Sequence, residues 1–307
     1  MTYSIVARDP GTGELGVAVQ SHAFSVGPIV PWARAGVGAV ATQSIVDPGY
    51  GPKGLELLAS GRSAEQALAQ LVAADEGAAV RQVAMVDAHG VAAAHTGARC
   101  IPAAGHVRGD GFSCQANMML NDTVWEAMAA AYREADGDLA ARLMAALHAA
   151  ESEGGDIRGR ESSALLVVAV ADSGRPWMYA DVLVDLRVED NPEPLAELER
   201  LLNLQRAFSH AEEADRRQEA GDMSGFWEEL AAAEHYAPGN VELQFWKGVT
   251  FAEQGCESEA RATLVEVYSH DPDWAELLRR LPAVDAALAE AVRADAGLMA
   301  RLTALPD

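Results

Sequence analysis

An α+β fold in two parts is what this sequence predicts, and three observations predict it. Extended segments come in antiparallel groups separated by pairs of helices. The strand–helix alternation of a doubly wound parallel sheet is missing. After Pro192 and Pro194 the strands stop and helical periodicity takes over.

The elements run in order. Residues 2–8 (TYSIVAR) and 14–20 (ELGVAVQ) read as strands joined through the turn cluster DPGTG, a hairpin. Residues 36–44 (GVGAVATQS) read as a third strand, whose small residues suit close approach by another layer or by a ligand. Two helices follow. One covers 51–60; Ser63 caps the other, with Gln66 at the capping-box position and Ala67, Leu68, Leu71 and Val72 at helical spacing. Residues 81–97 read as a hairpin turning at 87–90, and 111–118 as a further strand. Helices over 121–134 and 137–153 precede a last hairpin, 163–170 with 177–188. The order ββ-β, αα, βββ, αα, ββ fits two antiparallel sheets packed together with helix pairs outside, an αββα arrangement. No GxxxxGK[ST] motif occurs, so nucleotide-binding folds of that kind lose ground.

The acidic, proline-containing stretch 188–198 marks a boundary, giving an N-terminal part over 1–190 and an all-α part over 191–307. Within 241–274, Trp246, Gly248, Phe251, Ala260, Leu264 and Pro272 fall near the spacing of a tetratricopeptide repeat, and Pro238 precedes Pro272 by 34 residues. This gives one good repeat and one degenerate one, and at least three are usually needed for independent stability.

Charge narrows the function. The net charge is −23, divided as −10 over 1–190 and −13 over 191–307. Such a surface repels phosphate backbones, which excludes nucleic acid as the expected partner. No apolar run is long enough for a membrane span. The first residues lack the pattern of a signal peptide, so a cytoplasmic protein is expected. Cys100, Cys114 and Cys256 form neither a disulfide framework nor a CxxC site and read as small buried hydrophobes. The histidines show no HxH or HExxH spacing, so neither metal nor cofactor is expected.

Chemistry concentrates at the start of the chain. Thr2 follows Met1, and a threonine exposed by methionine removal carries both halves of a catalytic pair. Its hydroxyl is a nucleophile and its α-amine a general base with a pKa of about 8. Ser4 shares its strand face and would orient the amine or serve as nucleophile itself. Further polar candidates sit at strand ends, where uncharged amides and hydroxyls suit an amide substrate or an oxyanion: Ser21, His22, Gln43, Ser44 and His95. Gln115 and Asn117 alternate on one face of a core strand and need partners there. Asp156, Arg158, Arg160 and Glu161 read first as a structural ion-pair or interface cluster and second as a carboxylate clamp.

TYSIVARDPGTGELGVAVQS, GVGAVATQSIVDPGYGPKGLELL, AAHTG, GDGFSCQANMM and DIRGRESSALLVV together make residues 1–190 similar to the domain-of-unknown-function 1028 family, which is placed in the N-terminal-nucleophile hydrolase superfamily. The resemblance implies that superfamily's four-layer αββα sandwich and a nucleophile on the first strand, a place Thr2 fills once Met1 is removed. It names no substrate. Proteasome-like members add an acidic residue on the second strand and a lysine nearby. Here that strand ends in Gln20, Ser21 and His22, and the nearest basic residue is Arg34, which argues against peptidase chemistry.

Two functions are therefore expected. The first is an amidohydrolase acting on a small polar molecule, a homodimer by default. The alternative is a catalytically silent scaffold whose acidic helical part, 191–307, captures a protein partner.

Overall fold

The computed structural model describes residues 2–177 and 180–305. The chain divides into two compact units, Met1–Leu201 and Leu202–Asp307.

In the first unit a six-stranded sheet has the order β10-β9-β2-β1-β8-β7, built from β1 (Thr2–Arg8), β2 (Leu15–Ser21), β7 (Gly105–Gly109), β8 (Phe112–Asn117), β9 (Ser162–Val168) and β10 (Val182–Val188). A four-stranded sheet has the order β3-β4-β5-β6, from β3 (Pro31–Arg34), β4 (Gly38–Ser44), β5 (Arg81–Asp87) and β6 (Ala92–Thr96). Every strand pair is antiparallel. The sequence reading missed β3 and β7. Both are short, lie at sheet edges and contain Pro31 or two glycines, so neither shows the alternation that marks a strand. The strand expected over 177–188 forms only from Val182; residues 178 and 179 lie outside the described residues.

The sheets pack face to face through β1, β8, β4 and β5. Toward one end this interface is aliphatic, with Val6, Val17, Val19, Ala41, Ala84 and Val86 buried. The helices α1 (Tyr50–Ala59) and α2 (Ala64–Ala74) cover the outer face of the four-stranded sheet, bringing Leu55, Leu58 and Leu68 onto Val40, Val83 and Met85. The Ser63–Gln66 capping box forms at the start of α2, satisfying end N–H groups that would otherwise lack partners. The close approach expected of the third strand occurs at Gly38, where a Cβ would meet Leu58 Cδ1 at 2.5 Å. The helices α3 (Val124–Glu134) and α4 (Leu139–Ser152) cover the six-stranded sheet on its other face.

The prolines at 192 and 194 do not end the first unit. Pro194 opens α5 (Pro194–Glu219), the helix position proline suits best. The first turns of α5 are tied back: Ser163 Oγ donates to Pro194 O at 2.9 Å, and Leu195 and Leu198 are buried. The division therefore falls after Leu201 rather than after residue 190.

The second unit is helical: the end of α5, then α6 (Met223–Tyr236), α7 (Val241–Glu253), α8 (Glu257–His270), α9 (Asp273–Arg280), α10 (Ala286–Ala294) and α11 (Leu298–Leu302). Asp222, Asn240 and Asp285 cap α6, α7 and α10 through side-chain oxygens. Its core joins Phe245, Leu264, Val267, Leu278, Leu288 and Leu302. The backbones of α7 and α8 approach closely because Gly248 has no Cβ; one there would lie 2.7 Å from Leu264 Cγ. Gly248→Val is expected to destabilise the protein by about 2–3 kcal/mol in chemical denaturation, since Leu264 is fully buried and has no room to yield.

Among the described residues no helix is long and apolar enough to cross a membrane. Cys114 is buried as expected, whereas Cys100 and Cys256 are only half-buried, one in a loop and one at the start of α8.

Candidate functional site

Strand alternation divides the side chains of β1. Tyr3 points to the outer side, where its hydroxyl donates to Glu151 Oε2 on α4 at 2.6 Å. Thr2 and Ser4 point into the space between the sheets, at the end opposite the aliphatic half. There they meet amides from three other strands.

Ser4 Oγ donates to Gln43 Oε1 at 2.6 Å and accepts from Gln115 Nε2 at 2.7 Å. Gln43 Nε2 donates to Gln82 Oε1 at 2.7 Å and to the Thr2 carbonyl at 3.1 Å. Asn117 Nδ2 reaches the same two acceptors, Gln82 Oε1 at 2.9 Å and Thr2 O at 3.3 Å. Gln82 Nε2 closes the centre on Ala116 O at 2.9 Å, Thr96 Oγ1 at 2.9 Å and Gly105 O at 3.1 Å. Ser113 Oγ holds Gln115 Oε1 at 3.0 Å. At the edge of this network Thr2 is 4% exposed and its Oγ1 donates to Ser21 Oγ, its cross-strand neighbour, at 3.0 Å.

Four buried amides and their hydroxyls thus form one neutral network with no charged side chain inside it among the described residues. Next to Gly105 on β7 it also reaches His106, whose Nδ1 lies 2.9 Å from Thr96 Oγ1. Burial, then Arg108, holds His106 below the ordinary histidine range, so it too is neutral near pH 7. One atom of the network, Asn117 Oδ1, is buried with no hydrogen-bond partner among the described residues. The strand carrying Gln43 ends in a non-glycine residue at positive φ, Ser44 at 73°, and the residue just after the strand carrying Asn117, Met118, is another at 57°. Backbone held in this way is uncommon and clusters at functional sites.

The structure thus brings Thr2, Ser4, Ser21, Gln43, Gln115 and Asn117 together, with Ser44 following at the end of β4. His22 lies beside Ser21, but its Nδ1 turns to Arg160 O at 3.3 Å and its backbone N–H donates to Asp156 Oδ2 at 3.2 Å. Two expected residues are elsewhere. Arg34 pairs with Gly38 at the far end of β4 and donates to Leu55 O. His95 faces the helix side of its sheet, with Nε2 on Ala78 O at 2.8 Å; the alternation that turns it away turns Thr96 in. Asp156 and Arg158 pair at 2.8 Å and Arg160 binds Glu151 and Glu193, holding the loop before β9.

The sequence reading passed over Gln82, the hub. Its signal was present: a polar residue at the inward position of RQVAMVD, where Ala84 and Val86 follow on the same face. Around this end of the sandwich, loops following β2, β4, β6 and β8 and preceding β9 expose Phe24, Ile45, Ile101, Leu120 and Ile157.

A cleft of about 820 Å³ lies within the second unit between α5 and α7, with Leu230 of α6 and Asp285 at the start of α10 also lining it. Gln218 of α5 reaches across to Glu253 of α7 at 3.2 Å. Burial, a hydrogen bond with Asp285 and the nearby Asp215 push Glu253 up to about 7. The folded state therefore holds a proton that the unfolded chain has released. Stability falls as pH rises from the ordinary glutamate range through about 7. Glu253→Gln is expected to leave stability at pH 5 nearly unchanged and to raise it by about 1–2 kcal/mol at pH 8, read by urea denaturation and allowing for solvent screening of a partly exposed group.

Fold and site together define an α+β protein with a buried, uncharged hydrogen-bonding centre built around the first residues of its first strand. The chain belongs to the family described as "Family of unknown function (DUF1028)", which matches residues 2–198. It is similar to protein SPO2555 from Silicibacter pomeroyi, whose crystal structure is assigned to the same family. The two share 33% sequence identity with a TM-score of 0.59, over 66% of this chain and 87% of that one. No curated protein matches the chain.

Proposed function

We propose that this protein is an N-terminal-nucleophile hydrolase that cleaves the C–N bond of a small, neutral, amide-type molecule, with Thr2 as nucleophile. The observation that carries this reading is the setting of Thr2. Its hydroxyl is held by Ser21, its carbonyl is clamped by Gln43 and Asn117, and the unpartnered Asn117 Oδ1 beside it suits an N–H of a substrate or the Thr2 amine. Met1 lies outside the described residues, and its removal would free that amine.

In the proposed reaction the amine takes the Thr2 hydroxyl proton as Oγ1 attacks the substrate carbonyl carbon. The C–N bond breaks, the leaving nitrogen receives that proton, and an ester to Oγ1 remains. Water then attacks the ester with the same amine as base, releasing the acid and restoring Thr2. Ser4 is fully buried and saturated by Gln43 and Gln115, so we assign it to positioning rather than attack. The uncharged network favours a substrate without charge at its amide end, because a buried unpaired charge is strongly disfavoured.

The face-to-face sheets with helix pairs outside support reading the first unit as this superfamily's four-layer sandwich. The Gly248–Leu264 contact supports a tetratricopeptide-like reading of α7 and α8. A second copy covering the apolar rim is the homodimer we propose, checked by sedimentation.

Intact mass decides the first step: retention of Met1 in the cellular protein would sink the free-amine mechanism. With Met1 gone, an amide panel followed by hydroxylamine trapping should reveal an ester on Thr2.

A further inference from the structure

We infer that the cleft of the second unit is a docking groove for a basic amphipathic helix of a partner protein. This stands apart from the hydrolase reading, since every residue that lines the cleft belongs to the second unit.

Length is the first argument. Phe208 and Glu219 mark the extent of the α5 wall, about 16 Å at 1.5 Å per residue, or three turns of an incoming helix. A compact amine would occupy a small part of 820 Å³. The second argument is the floor. Phe208, Leu230 and Trp246 line it, and Trp246 is 44% exposed. Large aromatic and aliphatic anchors of this kind receive the i, i+3, i+4, i+7 stripe of an amphipathic helix.

Charge selects the partner. The walls carry Glu212, Asp215, Glu219, Glu242, Glu253 and Asp285. None of the six is in an ion pair among the described residues. Among the described residues the one cation lining the cleft, Lys247, is taken by Glu234 at 3.0 Å. Local structure explains two of the carboxylates: Asp285 caps α10 and Glu253 accepts from Gln218. Glu242 sits in the first turn of α7, where a carboxylate suits the helix dipole, and the other three, Glu212, Asp215 and Glu219 on α5, have no such use among the described residues. Burial followed by Glu219 and Glu212 raises Asp215, which shows mutual repulsion along the α5 wall. A helix with arginines flanking its apolar stripe relieves that repulsion, because the guanidinium fork matches carboxylates in pairs. The same field repels nucleic acid and anionic membrane surfaces.

The test uses the full-length protein and a fluorescein-labelled peptide of about 18 residues, with leucine and tryptophan on one helical face and arginine beside it. Anisotropy is compared with a scrambled peptide of equal composition and with a version carrying glutamate for arginine. The designed peptide is expected to bind at least about 10-fold more tightly than the scrambled one, and the glutamate version not at all. Raising the salt from about 50 to about 300 mM should weaken binding severalfold. Trp246→Ala and the double variant Asp215→Asn/Glu253→Gln should each weaken it about 10-fold or more, with circular dichroism unchanged. Equal binding of the scrambled peptide would overturn the proposal. So would affinity unmoved by both variants, or displacement by spermidine at the peptide's own affinity, the mark of a simple cation site.

Discussion

Thr2→Ala should fold normally and lose turnover of any amide the protein hydrolyses by at least about 10³-fold, because it deletes the atom that forms the covalent bond. The loss should fall on kcat, and the ester trapped from the parent protein by hydroxylamine should disappear. Stability should change by only about 1 kcal/mol, the worth of the Thr2–Ser21 hydrogen bond. Thr2→Ser, which keeps nucleophile and amine, should retain measurable activity. In the parent protein kcat/KM should rise with pH and level off near the α-amine pKa of about 8, since the base must be unprotonated to act. Full activity in Thr2→Ala would refute Thr2 as nucleophile. Ser4→Ala separates the roles. It should leave the trapped ester in place while costing about 1–2 kcal/mol of stability, because Gln115 Nε2 then loses its acceptor.

Gln82→Ala should be the most damaging single change to the first unit, lowering stability by about 3–5 kcal/mol. The amide accepts from Gln43 and Asn117 and donates to Thr96, Gly105 and Ala116; Gln43, Asn117 and Ala116 are fully buried with it, and Thr96 and Gly105 partly. Its removal leaves partners unsatisfied and opens a cavity, and both penalties apply together. Gln82→Glu separates them by keeping the volume. A carboxyl there would be buried, so its pKa would rise and stability would fall as pH rises from about 5 to 8. Urea denaturation at the two pH values measures this. A variant equally stable at both would mean that water reaches the network and that the site is open.

Much of this was legible beforehand, and the reasons differ by element. The capping box at Ser63 and Gln66 is a contact between near neighbours in sequence, so four residues suffice to specify it. The hairpin of β5 and β6 shows itself by alternation around a glycine turn. Gln115 and Asn117 stood out because two amides on one face of an apolar strand demand partners. Gln82 made the same demand more faintly, alone on its strand. Arg34 and His95 were misplaced by adjacency: a residue next to a site in sequence lies, on a strand, on the opposite face or at the far end.

The antiparallel grouping of most strands, the pairing of the helices between them, the acidity of the helical part and the rank of Thr2 as a candidate were determined by the sequence alone, because each is set by local pattern and composition. The tertiary structure decided which amides converge. The Ser4–Gln43 and Ser4–Gln115 contacts join residues 39 and 111 positions apart, and only the packing of one sheet on the other fixes such pairs. It also placed the unit boundary after Leu201, because the first turns of α5 are held back by a hydrogen bond from β9 that no local pattern encodes.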